Sequence, residues 1–553
     1  MSFIDKIRFS DKQHFALFAI LLTAISAIMV YAYLPMHAGQ DYYFHIMRLE
    51  ALMDAIKEGT FPYYLDYKVI DGYGYFTKAF YCDVILIPFA LLGLVTSTLT
   101  AYNTILFVIT FLCGLFTYIA VRKIFENNLA ASIAAILYTF CFYRLLDMYH
   151  RAALGETISF TFIPIVFLGL YHIIKGDYKK WYIIAIGFSL LIFTHVISTV
   201  LTLLTVIIFL IIYNKYLRKE PKRILYLGIA AFSTVLITAY YVFPMLEQMS
   251  SDTFYYQARE LTGKPATAKF GINWVIWGMY TGGVQARQIF IPGVSLLLSA
   301  AVCVRLFVSK KTTLLRFADT MVIVGLVYIF MTSVLFPWQY FPFTLLDFIQ
   351  FPWRLLEFSC FFFAVAGGYY LSLALSNTRR ALAALAIIVF TTSFMIVNDA
   401  ELYKAVRWNN LNAEPTIDNY YFLAGREYIP DAVPSVEYLA ERGDTIISQQ
   451  QSEILNFSRN KSITSFDIIL NSDKDVLELP LIYYKGYAAY QNNNKLQITE
   501  SETGLVEVNV PLSGHIKVFY EGTIIQTVGL YLSIVSIIGL IIFIVYSRRR
   551  KYA

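Results

Sequence analysis

Apolar and polar residues alternate in this chain on the scale of whole segments. Runs rich in Leu, Ile, Val, Phe and Ala lie near 15–34, 82–98, 104–121, 129–146, 158–174, 181–213, 224–245, 289–308, 318–336, 355–376, 381–398 and 527–546, with polar stretches between them. Roughly 20 apolar helical residues cross the hydrocarbon of a bilayer. The pattern therefore predicts an α-helical polytopic membrane protein. The run 181–213 is long enough for two short crossings, and "FTHVIST" at its middle, with His195, predicts the break.

The period changes towards the C-terminus. From "KDVLELPLIYYKGYAAYQ" to "GHIKVFYEGT" apolar and polar residues alternate singly between Asn-rich and Gly-containing turns, which predicts short antiparallel strands in a small sandwich. The chain thus reads as a transmembrane domain over 1–398 with a first outer loop at 35–103. An extracellular domain follows over 399–526, β-rich in its second half, and then a final span and basic tail over 527–553.

Charge sets the orientation. Lys6/Arg8, Arg122/Lys123, Lys175/Lys179/Lys180, Lys215 to Arg223, Lys310/Lys311/Arg316, Arg379/Arg380 and the terminal "RRRK" all face the cytoplasm if 82–98 lies in or dips into the outer leaflet. That leaves about 12 crossings, or 12 to 13 membrane helices in all, with both termini inside a bacterial plasma membrane. The composition agrees: 58% of residues are hydrophobic and 15% charged, against about 25% charged in soluble domains. The net charge of +6 resides in these clusters, so it reports topology and gives no surface for nucleic acid. Five scattered cysteines encode neither a disulfide framework nor a zinc site, and the N-terminus, lacking a cleavage site, reads as a retained anchor.

Against this apolar background the charged residues stand out. In "GQDYYFHIMRLEALMDAIKEGTFPYY" a helix is expected from about Asp41 to Glu58, with Asp41, His45 and Arg48 on one face. Together they can supply a proton acceptor, a tuned partner and an anion binder. The alternative is an interfacial helix whose N-terminal Asp complements the dipole. Asp83 either caps the apolar helix that follows it or faces the same cavity as Asp41. Asp147, His150, Arg151 and Glu156 fall within ten residues, and Arg151 and Glu156 flank a small "AALG" that allows close backbone approach, as the walls of a pocket would. His150 reads as a structural neighbour. In "FPWQYFPFTLLDFIQFPWRLLEF" three prolines break the helix, the aromatics (Trp353 among them) form an interfacial collar, and Arg354 enters the next span. It either snorkels to the headgroups or grips a lipid phosphate. A divalent metal at Asp41 and His45 has suitable spacing but no third ligand in the sequence, and His195 reads as a hydrogen-bonded interior residue.

The segments "GQDYYFHIMRLEAL", "GYGYFTKAFYCDVILIPFALL", "HRAALGE", "IQFPWRLLEF", "GREYIP" and "YYKGYAAY...GHIKVFYEGT" resemble, in this order, the YfhO-like bacterial membrane proteins and their 6-pyruvoyl-tetrahydropterin-synthase-related kin within the GT-C glycosyltransferases. Cys82 and Asp83 stand where many relatives carry a Pro-Pro pair. The resemblance implies an enzyme that moves a sugar from a polyprenyl-phosphate donor to a cell-wall polymer or glycolipid on the outer face, in a Gram-positive host, with inversion. It implies Asp41 as base, Arg354 with Arg151 or Arg48 at the leaving phosphate, and His45, Asp83, Glu156 and Trp353 in the substrate site, with membrane lipids around it. The competing readings are a noncatalytic partner in wall-polymer assembly and a transporter of lipid or lipid-linked sugar.

Overall fold

The computed structural model describes residues 10–34, 39–62, 65–259, 263–280, 283–285, 289–309, 311–375, 377–405, 426–460 and 462–552. Lys6, Arg8, Lys310 and part of the expected 399–526 domain lie outside them. Among the described residues eight helices are long and apolar enough to cross a membrane: Asp11–Ala32 (α1), Thr98–Phe125, Asn128–His150, Leu154–Ile174, Thr313–Met331, Pro352–Ala374, Arg379–Lys404 and Ile524–Arg549. A pair broken at Thr238 makes up to nine, and Val84–Val95, Val196–Ile212 and Ser295–Phe307 are shorter apolar helices.

Two expected runs differ in detail, and a third breaks as expected. The run 224–245 is two helices, Lys222–Ile237 and Ala239–Ser251, because Thr238 leaves the helical conformation. The run 289–308 begins as a strand, Ile289–Ile291 (β2), paired with Gly283–Gln285 (β1). Its α-helix, Ser295–Cys303, begins only after Pro292 and continues as a 3₁₀ turn over Val304–Phe307. The run 181–213 breaks at the expected place, with helices Tyr182–Ile192 and Val196–Ile212 and His195 as the N-cap of the second.

The chain divides into two compact units that interleave along the sequence. The first comprises residues 1–45, 96–234 and 263–413, the second 46–95, 235–262 and 414–553. In the first, close helix contact is set by small residues. A Cβ on Gly169 would lie 2.4 Å from the Ile184 backbone nitrogen, so helix Leu154–Ile174 meets helix Tyr182–Ile192 almost backbone to backbone. Gly169→Val forces these helices apart and is expected to cost about 1–3 kcal/mol or more, read as a lower melting temperature in nanodiscs.

The second unit is built on two antiparallel sheets. One runs β3 (Ile447–Ser448), β6 (Asp475–Ile482), β10 (Leu505–Val510), β9 (Ile498–Glu500); the other runs β4 (Glu453–Asn460), β5 (Ile463–Ile469), β11 (Gly514–Tyr520), β7 (Tyr487–Gln491), β8 (Asn494–Leu496). Single alternation puts Phe466, Ile468, Leu477, Leu479, Val506, Val508, Ile516 and Val518 inside, where each fully buried apolar side chain contributes about 1.5–3 kcal/mol. Leu65, Val69, Tyr73, Tyr75 and Phe76 complete this core. The Ile482 N–H donates to the Tyr73 carbonyl at 2.9 Å and the Tyr73 hydroxyl to the Gly443 carbonyl at 2.6 Å.

Asp66, in the same unit, is buried, and burial pushes its carboxyl up from 3.8 to about 6 against the pull of the Lys68 amide and ammonium. Because the folded state holds this proton more tightly than the unfolded chain, the group's penalty is absent below about pH 4. It grows as pH rises and is complete above about pH 6, at about 3 kcal/mol. Asp66→Asn keeps an oxygen for the Lys68 amide (2.9 Å). It is expected to raise the melting temperature at pH 7.5, with about two thirds of the gain lost at pH 4.5.

Candidate functional site

Asp41 opens helix α2 (Tyr42–Glu58), and its backbone is fixed before its side chain is considered. Its N–H donates to the Arg151 carbonyl at 2.8 Å, the Gln40 N–H to the His150 carbonyl at 3.3 Å, and its own carbonyl accepts from the His45 N–H at 3.2 Å. The turn before it depends on Gly39, where a Cβ would fall 2.6 Å from the Tyr149 carbonyl oxygen and 2.9 Å from that of His150. The small residue therefore lets "GQD" lie flat on "YHRA".

The segment that receives it is irregular. Residues Leu146–His150 form a π-turn, in which the Arg151 N–H reaches the Leu146 carbonyl at 2.9 Å, and Ala152 follows with φ 54°. Such turns move side chains out of helical register and recur at functional sites. Here the result is a buried ionic cluster. Arg151 pairs with Asp147 and, at 2.9 Å, with Glu156. Arg354 lies 3.3 Å from the same Glu156 oxygen and donates to the Ile349 carbonyl at 3.2 Å, while the Tyr143 hydroxyl donates to Glu156 at 2.5 Å. A buried carboxylate between two guanidiniums is stable only when so paired.

Asp41 is an exposed residue, yet protein packs closely around its carboxyl. This crowding pushes its carboxyl above the usual range, opposed by Arg151 and Arg354 and reinforced by Glu156. A carboxyl with a raised pKa, on an exposed residue within the field of two buried cations, can take a proton from a hydroxyl and lies near positive charge that suits a phosphate.

The remaining expected residues are placed as follows. His45 is buried one turn into α2. Trp353 stacks on Phe351 with ring centroids 4.4 Å apart and on Phe270 at 5.3 Å. Arg48 and Asp83 belong to the second unit: Arg48 Nε lies 2.7 Å from Asp83 Oδ1, and Lys78 pairs with the other oxygen. Asp83 makes no side-chain cap hydrogen bond, so of its two readings the helix cap is not met. Burial would raise its pKa, but Lys78 and Arg48 prevail and hold it below the usual range. Among the described residues no three His, Cys, Asp or Glu side chains are grouped to hold a metal ion, so Asp41 and His45 find no third ligand there.

Sequence reasoning missed Glu357, which accepts from Ser159 and, at 3.0 Å, from Ser198; Ser198 is also 2.9 Å from His195 Nδ1. The signal was present as a lone acid in the apolar "WRLLEFSCFFF". Asp399, bonded by Tyr33 and 3.3 Å from His150, was missed too, since it ends an apolar run where an acid attracts no notice.

No family model matches the chain. It is similar to a protein of Lactococcus lactis subsp. cremoris (strain MG1363) described as uncharacterized, with 23% identity over 567 aligned positions covering 92% of this chain and 91% of that protein. Similarity of this extent takes in parts of both compact units.

Proposed function

We propose that this protein is a GT-C-type membrane glycosyltransferase, YfhO-like, that moves a sugar from a polyprenyl-phosphate donor to a cell-wall polymer or glycolipid. The observation that carries the reading is the exposed Asp41, whose carboxyl is raised in pKa and lies within the field of the buried Arg151 and Arg354. Asp41 removes the proton of the acceptor hydroxyl as that oxygen attacks the anomeric carbon. The bond from that carbon to the phosphate oxygen breaks, the electron pair leaves with the polyprenyl phosphate, and the configuration inverts. Arg354 meets the developing phosphate charge, and Arg151, committed to Asp147 and Glu156, supports it through the field of the cluster. Arg48 is committed to Asp83 and takes no part. In this reading the chain crosses the plasma membrane about 12 times, with both termini cytoplasmic and Asp41 outside.

The test is a transfer assay on the protein in nanodiscs, offered polyprenyl-phosphate sugars and wall-polymer or glycolipid acceptors, with the anomeric configuration of the product read by NMR. A retained configuration, or a covalent glycosyl-Asp41 adduct, would sink the single-displacement mechanism.

A further inference from the structure

The second unit contains an open cleft that the chemistry at Asp41 does not use. Ala51, Asp54, Ala55 and Glu58 form its helical wall, four positions that share one face of α2. The facing wall includes Asp66, Tyr67, Lys68, Arg459, Ser462 and Tyr520, and the cavity between the walls, open to solvent, has a volume of about 380 Å³. Small-molecule sites run from roughly 300 to 1,000 Å³.

Its chemistry is mixed and held in place. The Tyr520 ring meets Phe76 and Tyr487 edge-on at 5.5 and 5.4 Å, and its hydroxyl donates to the Lys485 carbonyl at 2.9 Å. The Tyr67 hydroxyl is 3.3 Å from that of Tyr487. Arg459 is anchored by the Asp71 and Pro480 carbonyls, each at 3.0 Å, and by Asp444. Asp54 pairs with Lys68. The cleft therefore offers half-buried tyrosine rings, carboxylate acceptors and cationic donors on rigid supports.

Three carboxylates could suggest a cation, yet among the described residues no three are grouped to hold one. Lys68 and Arg459 on the same wall make it a poor seat for a polycation. What fits is a ligand with many hydroxyls, which both donate and accept, and with apolar ring faces that lie against tyrosine. We infer that this cleft binds an uncharged saccharide chain, the acceptor of the transfer proposed above.

The inference rests on that reading for the word acceptor but is tested by binding alone. Full-length protein in nanodiscs is titrated by calorimetry with neutral oligosaccharides released from Lactococcus lactis wall polysaccharide, and separately with Ca²⁺ and with oligolysine. Wild type and Asp41→Asn are expected to bind the saccharides equally. Glu58→Gln and Ser462→Trp, the second of which fills the cleft, are expected to weaken binding by roughly tenfold or more, with unchanged melting temperatures. No saccharide binding by wild type, binding that both cleft variants leave intact, or a response to Ca²⁺ or oligolysine alone overturns the inference. Loss of transfer chemistry is a separate result: if cleft-dependent binding is found and no transfer occurs, the enzyme reading fails and the saccharide site stands.

Discussion

Asp41→Asn is expected to lower the rate of sugar transfer by about 10² to 10⁴, the usual contribution of a positioned general base, while the melting temperature stays within about 1 °C of wild type by virtue of unchanged packing. The backbone bonds that seat residue 41 on the Arg151 and His45 amide groups do not involve its side chain, so the substitution removes the base and leaves the turn. The pH profile gives a second readout. Burial pushes the Asp41 carboxyl above the ordinary carboxylate range, so the acid limb of the profile should lie higher than that of an unperturbed Asp and should disappear in the variant. Equal transfer by wild type and variant would make Asp41 an N-terminal charge on α2 and nothing more.

Arg151→Met is expected to act chiefly on stability. Arg151 holds both Asp147 and Glu156, which are buried, and its loss leaves two uncompensated acids with Arg354 the nearest remaining cation. Breaking a buried pair in this way costs about 3–5 kcal/mol, so the variant should melt well below wild type in nanodiscs or fail to accumulate. Adding Asp147→Asn to it should recover part of the loss, because one of the stranded acids becomes neutral. A variant that kept wild-type stability and lost only donor binding would instead make Arg151 a free phosphate ligand, in conflict with its two carboxylate partners. Arg354, with a single shared acid, is the better candidate for that role.

The two largest effects thus fall on residues joined by one backbone contact but different in kind. Asp41 is reachable from solvent and its side chain is not needed for folding; Arg151 is buried and its side chain is. The π-turn Leu146–His150 explains how both arise from one place, since it turns the Arg151 side chain into the ionic cluster while its carbonyl receives Asp41.

Much was legible in the sequence by itself. Segment-long apolar runs determine where helices form, because an unbroken stretch of some 20 apolar residues leaves the backbone no better way to satisfy its own hydrogen bonds in a dry surrounding. Single alternation after residue 470 determines strands, because the pleat sends neighbours to opposite faces. Local breaks were legible as well: His195 in "FTHVIST" caps the helix that follows it. Charged residues in apolar runs marked Asp41, Arg151, Glu156 and Arg354 for the same energetic reason.

Partnership was decided only by the tertiary structure. Helical periodicity put Asp41, His45 and Arg48 on one face of α2, but periodicity carries no information about what lies opposite. The fold gives Asp41 a backbone seat on Arg151, and it gives Arg48 to Asp83 in the other compact unit. The chain order likewise suggested a strand domain beginning after residue 398, whereas Leu65 to Phe76 supply part of its hydrophobic core from far earlier in the sequence. Local pattern reports which face of an element is apolar; which distant element covers that face, and which charge answers a buried charge, follows from the one packing that leaves neither exposed nor unpaired.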